Sequence, residues 1–390
     1  MRSDWASQTL DGDVYAEPLV YAGDVFIATE NNSVYALDAL DGSVIWRTNL
    51  GPPVPGGELQ CGDIFPSGIT GTPVIDPSTG MLYVVSFSGL KHTLSAIKVS
   101  TGSIVFQLAA DPPGFDVTSQ QQRSALSLAN GVVYIPYGGL YGDCGSYHGW
   151  VVGLAANGTG SMEVYQVPTG NEGGVWAPSG GAVDQSGDLY VATGNGESST
   201  AFDHGDSVIK LSPSLSELGY FAPSNWAALN QGDDDLGTAG PMITGPGNIF
   251  EIGKEGVGYL LNSSALGGIG GQMFSASVCN SSYGGNAYSS PNVFVPCTDG
   301  LVELHLSQKT FSTAWHVSGF DAGPPIVTGG VVWTVDISNA TLLGLSVSTG
   351  HRAYSFPLSS VVHFCGPGAG DGRVFVAGAA VVYSFLLGGP

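Results

Sequence analysis

The sequence predicts an all-β protein, an eight-bladed β-propeller of four-stranded antiparallel blades, and three observations lead there. A strand–turn–strand unit recurs along the chain, glycine-rich turns cut the chain into short strands, and charged residues are only 11% of the total. Helical domains solvate their outer faces with Glu, Lys and Arg, and average chains carry about a quarter charged residues. With 43% apolar residues the chain has ample surface to bury, which excludes disorder. Its 60 glycines follow no three-residue period, which excludes a collagen-like rod.

The repeat is first seen in Val34-Tyr35-Ala36-Leu37-Asp38-Ala39-Leu40-Asp41-Gly42-Ser43-Val44-Ile45-Trp46. It returns as Leu94-Ser95-Ala96-Ile97-Lys98-Val99-Ser100-Thr101-Gly102-Ser103-Ile104-Val105-Phe106, and again from Leu342 to Gly350, ending in Tyr354 and Phe356. Ahead of the first copy lie two more short apolar runs, Pro18-Leu19-Val20 and Val25-Phe26-Ile27-Ala28, split by Gly23-Asp24. Each unit therefore reads as four antiparallel strands. The units fall at 13–51, 68–110, 124–168, 174–223, 237–276, 287–318, 322–358 and 363–387, in one domain spanning 1–390. The last has three strands: the Phe364 region, Val374-Phe375-Val376 and Val382–Phe385. Residues 4–11, around Trp5 to Leu10, are expected to add the fourth and close the ring, which removes an exposed sheet edge. Two stacked β-sandwiches are the alternative, but they require no fixed signature of this kind.

Composition limits the function. Ten Lys and Arg against 32 Asp and Glu give a net charge of −22, which excludes a phosphate-backbone partner, DNA or RNA. No apolar run reaches the roughly 18 residues of a membrane span. Met1-Arg2-Ser3-Asp4 has no apolar signal region, so any export signal is expected to be absent from this sequence. The sparse charge and the five loop-borne cysteines point to a secreted, periplasmic or cell-surface monomer. Self-repulsion among so many carboxylates relaxes toward the pI, so tolerance of mild acidity is expected.

Propeller geometry also selects among disulfide pairings. Cys61 falls in the crossing from the first unit to the second, and Cys144 in the B–C loop of the third, two loop types that share one face. Cys279 falls in the crossing into the sixth unit and Cys297 at the end of its strand B. The expected pairs are Cys61–Cys144 and Cys279–Cys297, leaving Cys365 a buried thiol.

Polar residues at strand starts and B-strand ends converge on the mouth of a propeller. Trp176, Asn195, Asp235 and Lys254 occupy such positions in the fourth and fifth units, and together make a pocket for a metal or an anionic ligand. Each also has a plainer reading. Trp176 suits a wedge between blades, as do Trp46, Trp315 and Trp333; Asn195, between glycines, suits a left-handed turn; and Asp233-Asp234-Asp235 suits a solvated loop. His148, His204 and His363 fit no zinc spacing. No GxSxG elbow, HExxH or P-loop occurs.

These repeats resemble the pyrroloquinoline-quinone (PQQ) propeller family, which includes the quinoprotein alcohol dehydrogenases and the propeller lipoprotein of bacterial outer-membrane assembly. The segment Gly173 to Asn195 carries most of the likeness: a Gly-rich run, Trp176, Asp184, Leu189-Tyr190 and Thr193-Gly194-Asn195. The resemblance implies that Trp176 stacks on the quinone, Asn195 ligates calcium, Asp235 is the base and Lys254 touches the quinone carbonyls. Gly205-Asp206-Ser207 looks like the family's Gly-Asp-Asn. Arg123 and Lys254 are the cations placed to meet the cofactor's three carboxylates. Two parts of the dehydrogenase pattern are missing. Ser67 to Pro73 holds no adjacent cysteine pair, and the third unit offers Asp143 where a calcium-ligating Glu is expected. Two functions follow: a scaffold whose mouth binds a small molecule, glycan or protein, or a PQQ- and calcium-dependent dehydrogenase acting on an alcohol or hydroxylated substrate.

Overall fold

The computed structural model describes residues 1–245 and 247–388, and these form eight separate antiparallel sheets. Blade 1 contains Leu19–Tyr21, Asp24–Ala28, Ser33–Asp38 and Val44–Asn49, hydrogen-bonded in chain order from the inside out. Blades 2, 6 and 7 repeat this order without additions. The two middle strands of a blade are apolar on both faces because a neighbouring blade packs on each. Asp24–Ala28 is buried from Val25 onward, whereas the outer strand Val44–Asn49 alternates half-buried and exposed. The core is therefore a ring of inter-blade layers, such as Tyr83, Leu94, Val133, Tyr137 and Trp150 between blades 2 and 3.

The repeated Gly and aromatic residue of the sequence motif meet across blades. Trp46, on the outer strand of blade 1, donates its indole N–H to the Val99 carbonyl at 2.8 Å and lies over the Gly102 turn of blade 2. Trp5 does the same with Ala39 (3.0 Å) and Gly42, and Trp315 with Val347 (3.0 Å) and Gly350. A Cβ on Gly42 or Gly102 would sit 2.5 or 2.6 Å from an indole carbon, and both residues have positive φ, so glycine is required twice over. Trp333 differs. It lies in the second strand of blade 7, stacked on Tyr354 inside its own sheet.

The N-terminus closes the ring, but with Arg2–Ala6 rather than residues 4–11. That strand pairs antiparallel with Val381–Leu386 of blade 8. Beyond Ala6 the chain turns inward: Leu10 and Val14 donate to the carbonyls of Ala380 and Ala379, and both side chains are buried. The inner strand of blade 8 is Pro367–Gly370, not the Phe364 region; Phe364 has φ 59° and belongs to the crossing before it.

Three departures from the regular blade fall near the mouth or its supports. Gln120–Gln121 extends blade 3 toward the axis by pairing with Gly138 and Gly139. Gly268–Ile269 adds a fifth, parallel strand outside Glu217–Ala222 of blade 4. A short helix, Trp226–Gly232, interrupts the crossing from blade 4 to blade 5 and ends on Asp233 in the left-handed conformation. Among the described residues no helix is long and apolar enough to cross a membrane. Disulfides join Cys61 to Cys144 and Cys279 to Cys297, and Cys365 is a buried free thiol.

Candidate functional site

A cavity of about 550 Å³ opens on the ring face, and Arg123, Asp143, Trp176, Asn195, Asp235 and Lys254 all line it. None lies within a strand. Trp176 precedes the first strand of blade 4 (Ala182–Val183), Asn195 follows the second (Leu189–Ala192), and Lys254 follows the second of blade 5 (Asn248–Ile252). Asp235 sits just beyond the short helix, whose left-handed stop turns the chain back over the mouth. Asn195 has no positive φ, so the left-handed-turn reading of that residue fails.

The polar groups of blades 4 and 5 form one knot. Asp235 accepts the backbone N–H of Asn195 on Oδ1 at 2.7 Å and pairs with Lys254 Nζ through Oδ2 at 2.6 Å. Lys254 also reaches Asp233 Oδ1 at 2.7 Å, and the Asn195 amide donates to the same oxygen at 2.8 Å. Burial pushes the Asp235 carboxyl up, and Lys254 counters that. Glycine at 194 is part of the knot, because a side chain there would overlap Asp235 Oδ1 and stand 3.0 Å from Trp176 Nε1. Asp206 stands behind the mouth, not in it: fully buried, it accepts the Leu236 N–H at 2.9 Å, and burial raises its carboxyl far above the usual range.

Sequence reasoning missed several lining groups, above all Glu172, together with Asp63, Tyr147, Tyr283 and Phe364, and it read Asp233 as a solvated loop and His363 as no zinc ligand. Glu172 lies in the crossing into blade 4 at φ 68°, held by a bond from its N–H to the Tyr147 carbonyl at 2.7 Å. Its side chain makes no hydrogen bond among the described residues, and burial together with Asp143 and Asp235 raises its pKa. A Glu immediately before a Gly-rich crossing was the only signal available. Asp143 is half spent, since Tyr147 donates its hydroxyl to Oδ1 at 2.6 Å. His363 lines the mouth, but His204 faces Glu217 and Tyr220 beside the outer strand of blade 4.

The donors at the mouth decide which group it can hold. Asn195 Oδ1 is buried and without a partner, and Glu172 is unspent; this pair fits a cation. Glu172 also supplies a mouth carboxylate where the sequence offered only Asp143. A tricarboxylate quinone fits less well. The cavity holds five carboxylates against Arg123 and Lys254, and Lys254 is already neutralised by two aspartates. Arg123 lies 5.5 Å from the Trp176 ring centre and covers part of the plate on which a quinone would stack.

Residues 5–63 match the family described as outer membrane protein assembly factor BamB. No curated protein matches the chain. Among solved structures the chain is similar to BamB from Moraxella catarrhalis, at 14% identity and TM-score 0.67, covering 98% of this chain and 96% of that one. It is similar also to the quinohemoprotein alcohol dehydrogenase ADHIIG from Pseudomonas putida HK5, at 16% identity and TM-score 0.76, covering 100% and 76%. The quinohemoprotein alcohol dehydrogenase from Comamonas testosteroni gives 17% identity and TM-score 0.74, with 100% and 76% covered. Such identities speak to the fold, and the short matching segment contains the Trp-on-Gly blade motif. With eight blades joined in that way, the chain is an eight-bladed β-propeller, and its match to a described family is confined to residues 5–63.

Proposed function

We propose that the chain is an extracytoplasmic binding propeller whose ligand enters the mouth beside Trp176. One observation carries this reading: a cavity large enough for a small organic molecule gathers aromatic and charged groups from several blade crossings, some without a partner. The two disulfides agree with an oxidising compartment. Cys61–Cys144 links the crossing after blade 1 to the mouth loop of blade 3, beside lining residues Asp143 and Gly142. The test is a thermal-shift and calorimetric screen of amines, zwitterions, saccharides and short peptides, repeated on Trp176→Ala. Saturable binding lost in the variant, with an unchanged circular-dichroism spectrum, supports the mouth; binding untouched by the variant refutes it.

A second reading, quinone-dependent oxidation of an alcohol or hydroxylated substrate, is favoured by the meeting of Trp176, Asn195, Asp235 and Lys254 in one cavity. Here Asn195 and Glu172 would hold calcium, Trp176 and Lys254 would orient PQQ, and Asp235 would hold the substrate's hydroxyl proton. PQQ supplies a two-electron acceptor when bound. Both Asp235 oxygens already accept one bond each, from Asn195 and Lys254, so the substrate hydroxyl would take a remaining lone pair of the carboxylate. Reconstitution with PQQ and Ca²⁺ decides the matter. No quinone absorption band and no dye reduction with an alcohol panel, at saturating cofactor, removes this reading.

A further inference from the structure

Two groups in the mouth are left over once its internal bonds are assigned. Arg123 makes no side-chain hydrogen bond and no ion pair among the described residues; its guanidinium faces the rings of Phe364 at 4.6 Å and Trp176 at 5.5 Å. Those rings hold the guanidinium plane and leave its N–H edge free. Burial pulls its pKa down to about 10, which keeps it charged at neutral pH. Glu172 is the counterpart, a mouth carboxylate with no donor on its side chain among the described residues. Among the other charges there, Asp235 and Asp233 have Lys254 and Asp143 has Tyr147, while Asp63 lies 4.0 Å from His363 and acts on Arg123.

The leftover charges are opposite, line one cavity and make no ion pair with each other among the described residues. The charges acting on Arg123 come from Asp63, Tyr15 and Glu30, whereas those acting on Glu172 come from Asp143, Asp235, Glu197 and Asp233. The two sets share no member. A simple anion would satisfy Arg123 but leave Glu172 bare among acids, and a simple cation would do the reverse. Building on the ligand-binding reading above, we infer that the mouth takes a zwitterion, its carboxylate forked on Arg123 and its ammonium on Glu172. A short peptide with free ends or an ω-amino acid has that chemistry. Charge-assisted bonds at both poles give the site its selectivity, because a ligand lacking one charge leaves an enclosed group unpaired.

The experiment is calorimetry with a chelator present, so that no metal competes at Glu172. The probes are glycine, 4-aminobutanoate, 6-aminohexanoate, hexanoate and hexylamine. The expected result is that the best-binding zwitterion binds at least about tenfold more tightly than hexanoate or hexylamine, a difference of about 1.4 kcal/mol. Arg123→Gln should bring hexylamine level with that zwitterion, and Glu172→Gln should bring hexanoate level. Equal binding of hexanoate or hexylamine and the zwitterion by the unmodified protein overturns the inference. That comparison needs no variant, so a misfolded substitution does not blunt it. If none of these probes binds but a saccharide or an uncharged molecule does, the inference fails and the binding reading stands; if no ligand of any class binds, both fail.

Discussion

Replacing Glu30 by glutamine should stabilise the propeller at mildly alkaline pH and do so far less in acid. Glu30 is 3% exposed at the turn after the second strand of blade 1, where its Oε2 accepts the Gly68 N–H at 2.6 Å and its Oε1 has no partner. Burial pushes the carboxyl up to about 7, outweighing the Gly68 and Thr70 hydrogen bonds and the attraction of Arg123. Well below the ordinary carboxylate pKa both folded and unfolded chains hold the proton, and Glu30 costs nothing. As pH rises the unfolded chain releases its proton first, so stability falls until the folded carboxyl also ionises near 7. At about 1.4 kcal/mol for each pH unit between the two values, the full penalty is about 3 kcal/mol. Glutamine keeps a carbonyl for Gly68 and never ionises. Urea denaturation at pH about 5 and about 8 should therefore show a gain for Glu30→Gln of under about 1 kcal/mol at the lower pH and up to about 3 kcal/mol at the higher. A stability difference that is the same at both pH values, or a loss at the higher one, refutes the reasoning.

The unmodified protein should itself melt higher at pH about 5 than at about 8, since burial also raises Glu251, Asp206 and Asp235; a scan showing the opposite trend counts against this. Gly194→Ala should displace the Asp235 carboxylate and the Trp176 indole, costing about 1–3 kcal/mol and abolishing mouth binding, read by denaturation and calorimetry together. Opening Cys61–Cys144 by paired serine substitution should cost about 1 kcal/mol more than opening Cys279–Cys297, since their sequence separations are 83 and 18; equal losses would contradict that ordering. Burial pushes the Cys365 thiol up to about 12, so a maleimide should leave the native protein unlabelled and modify one cysteine after unfolding under non-reducing conditions.

The blades were legible because the repeat is a packing device. Gly42, Gly102 and Gly350 each receive an indole from the neighbouring blade, so the spacing of Gly and Trp along the chain records contacts made across it. The mouth was half legible. Trp176, Asn195, Asp235 and Lys254 follow the blade register, and register can be counted. Glu172 and Phe364 belong to irregular crossings at positive φ, where no periodicity reports which way a side chain points. The helix Trp226–Gly232 was missed for a related reason: seven residues with a single buried side chain, Leu229, leave almost no amphipathic pattern to read. Closure by residues 4–11 was misplaced by the same limit, for Leu10 reads as strand but is buried where the chain turns toward the axis.

The scarcity of cations sharpens the case for a ligand at Arg123. With ten Lys and Arg among 32 acids, a basic residue in this chain has carboxylates on offer almost everywhere. Those whose partners are clear fasten junctions. Arg47 reaches Asp11 at 2.5 Å and pins the inward-turning N-terminal segment to blade 1. Arg373 meets Asp4 at 2.8 Å and ties the closing strand to blade 8. Lys254 knots the crossing between blades 4 and 5. Arg123 sits in the same acidic mouth and feels Asp63 and Glu30, yet its guanidinium packs on rings and makes no ion pair among the described residues. Holding a guanidinium away from water with its N–H edge unpaired costs free energy that a nearby aspartate could offset. That an acid-rich chain sets this guanidinium in its mouth with no ion pair of its own among the described residues is what a site does when the missing carboxylate arrives with the ligand.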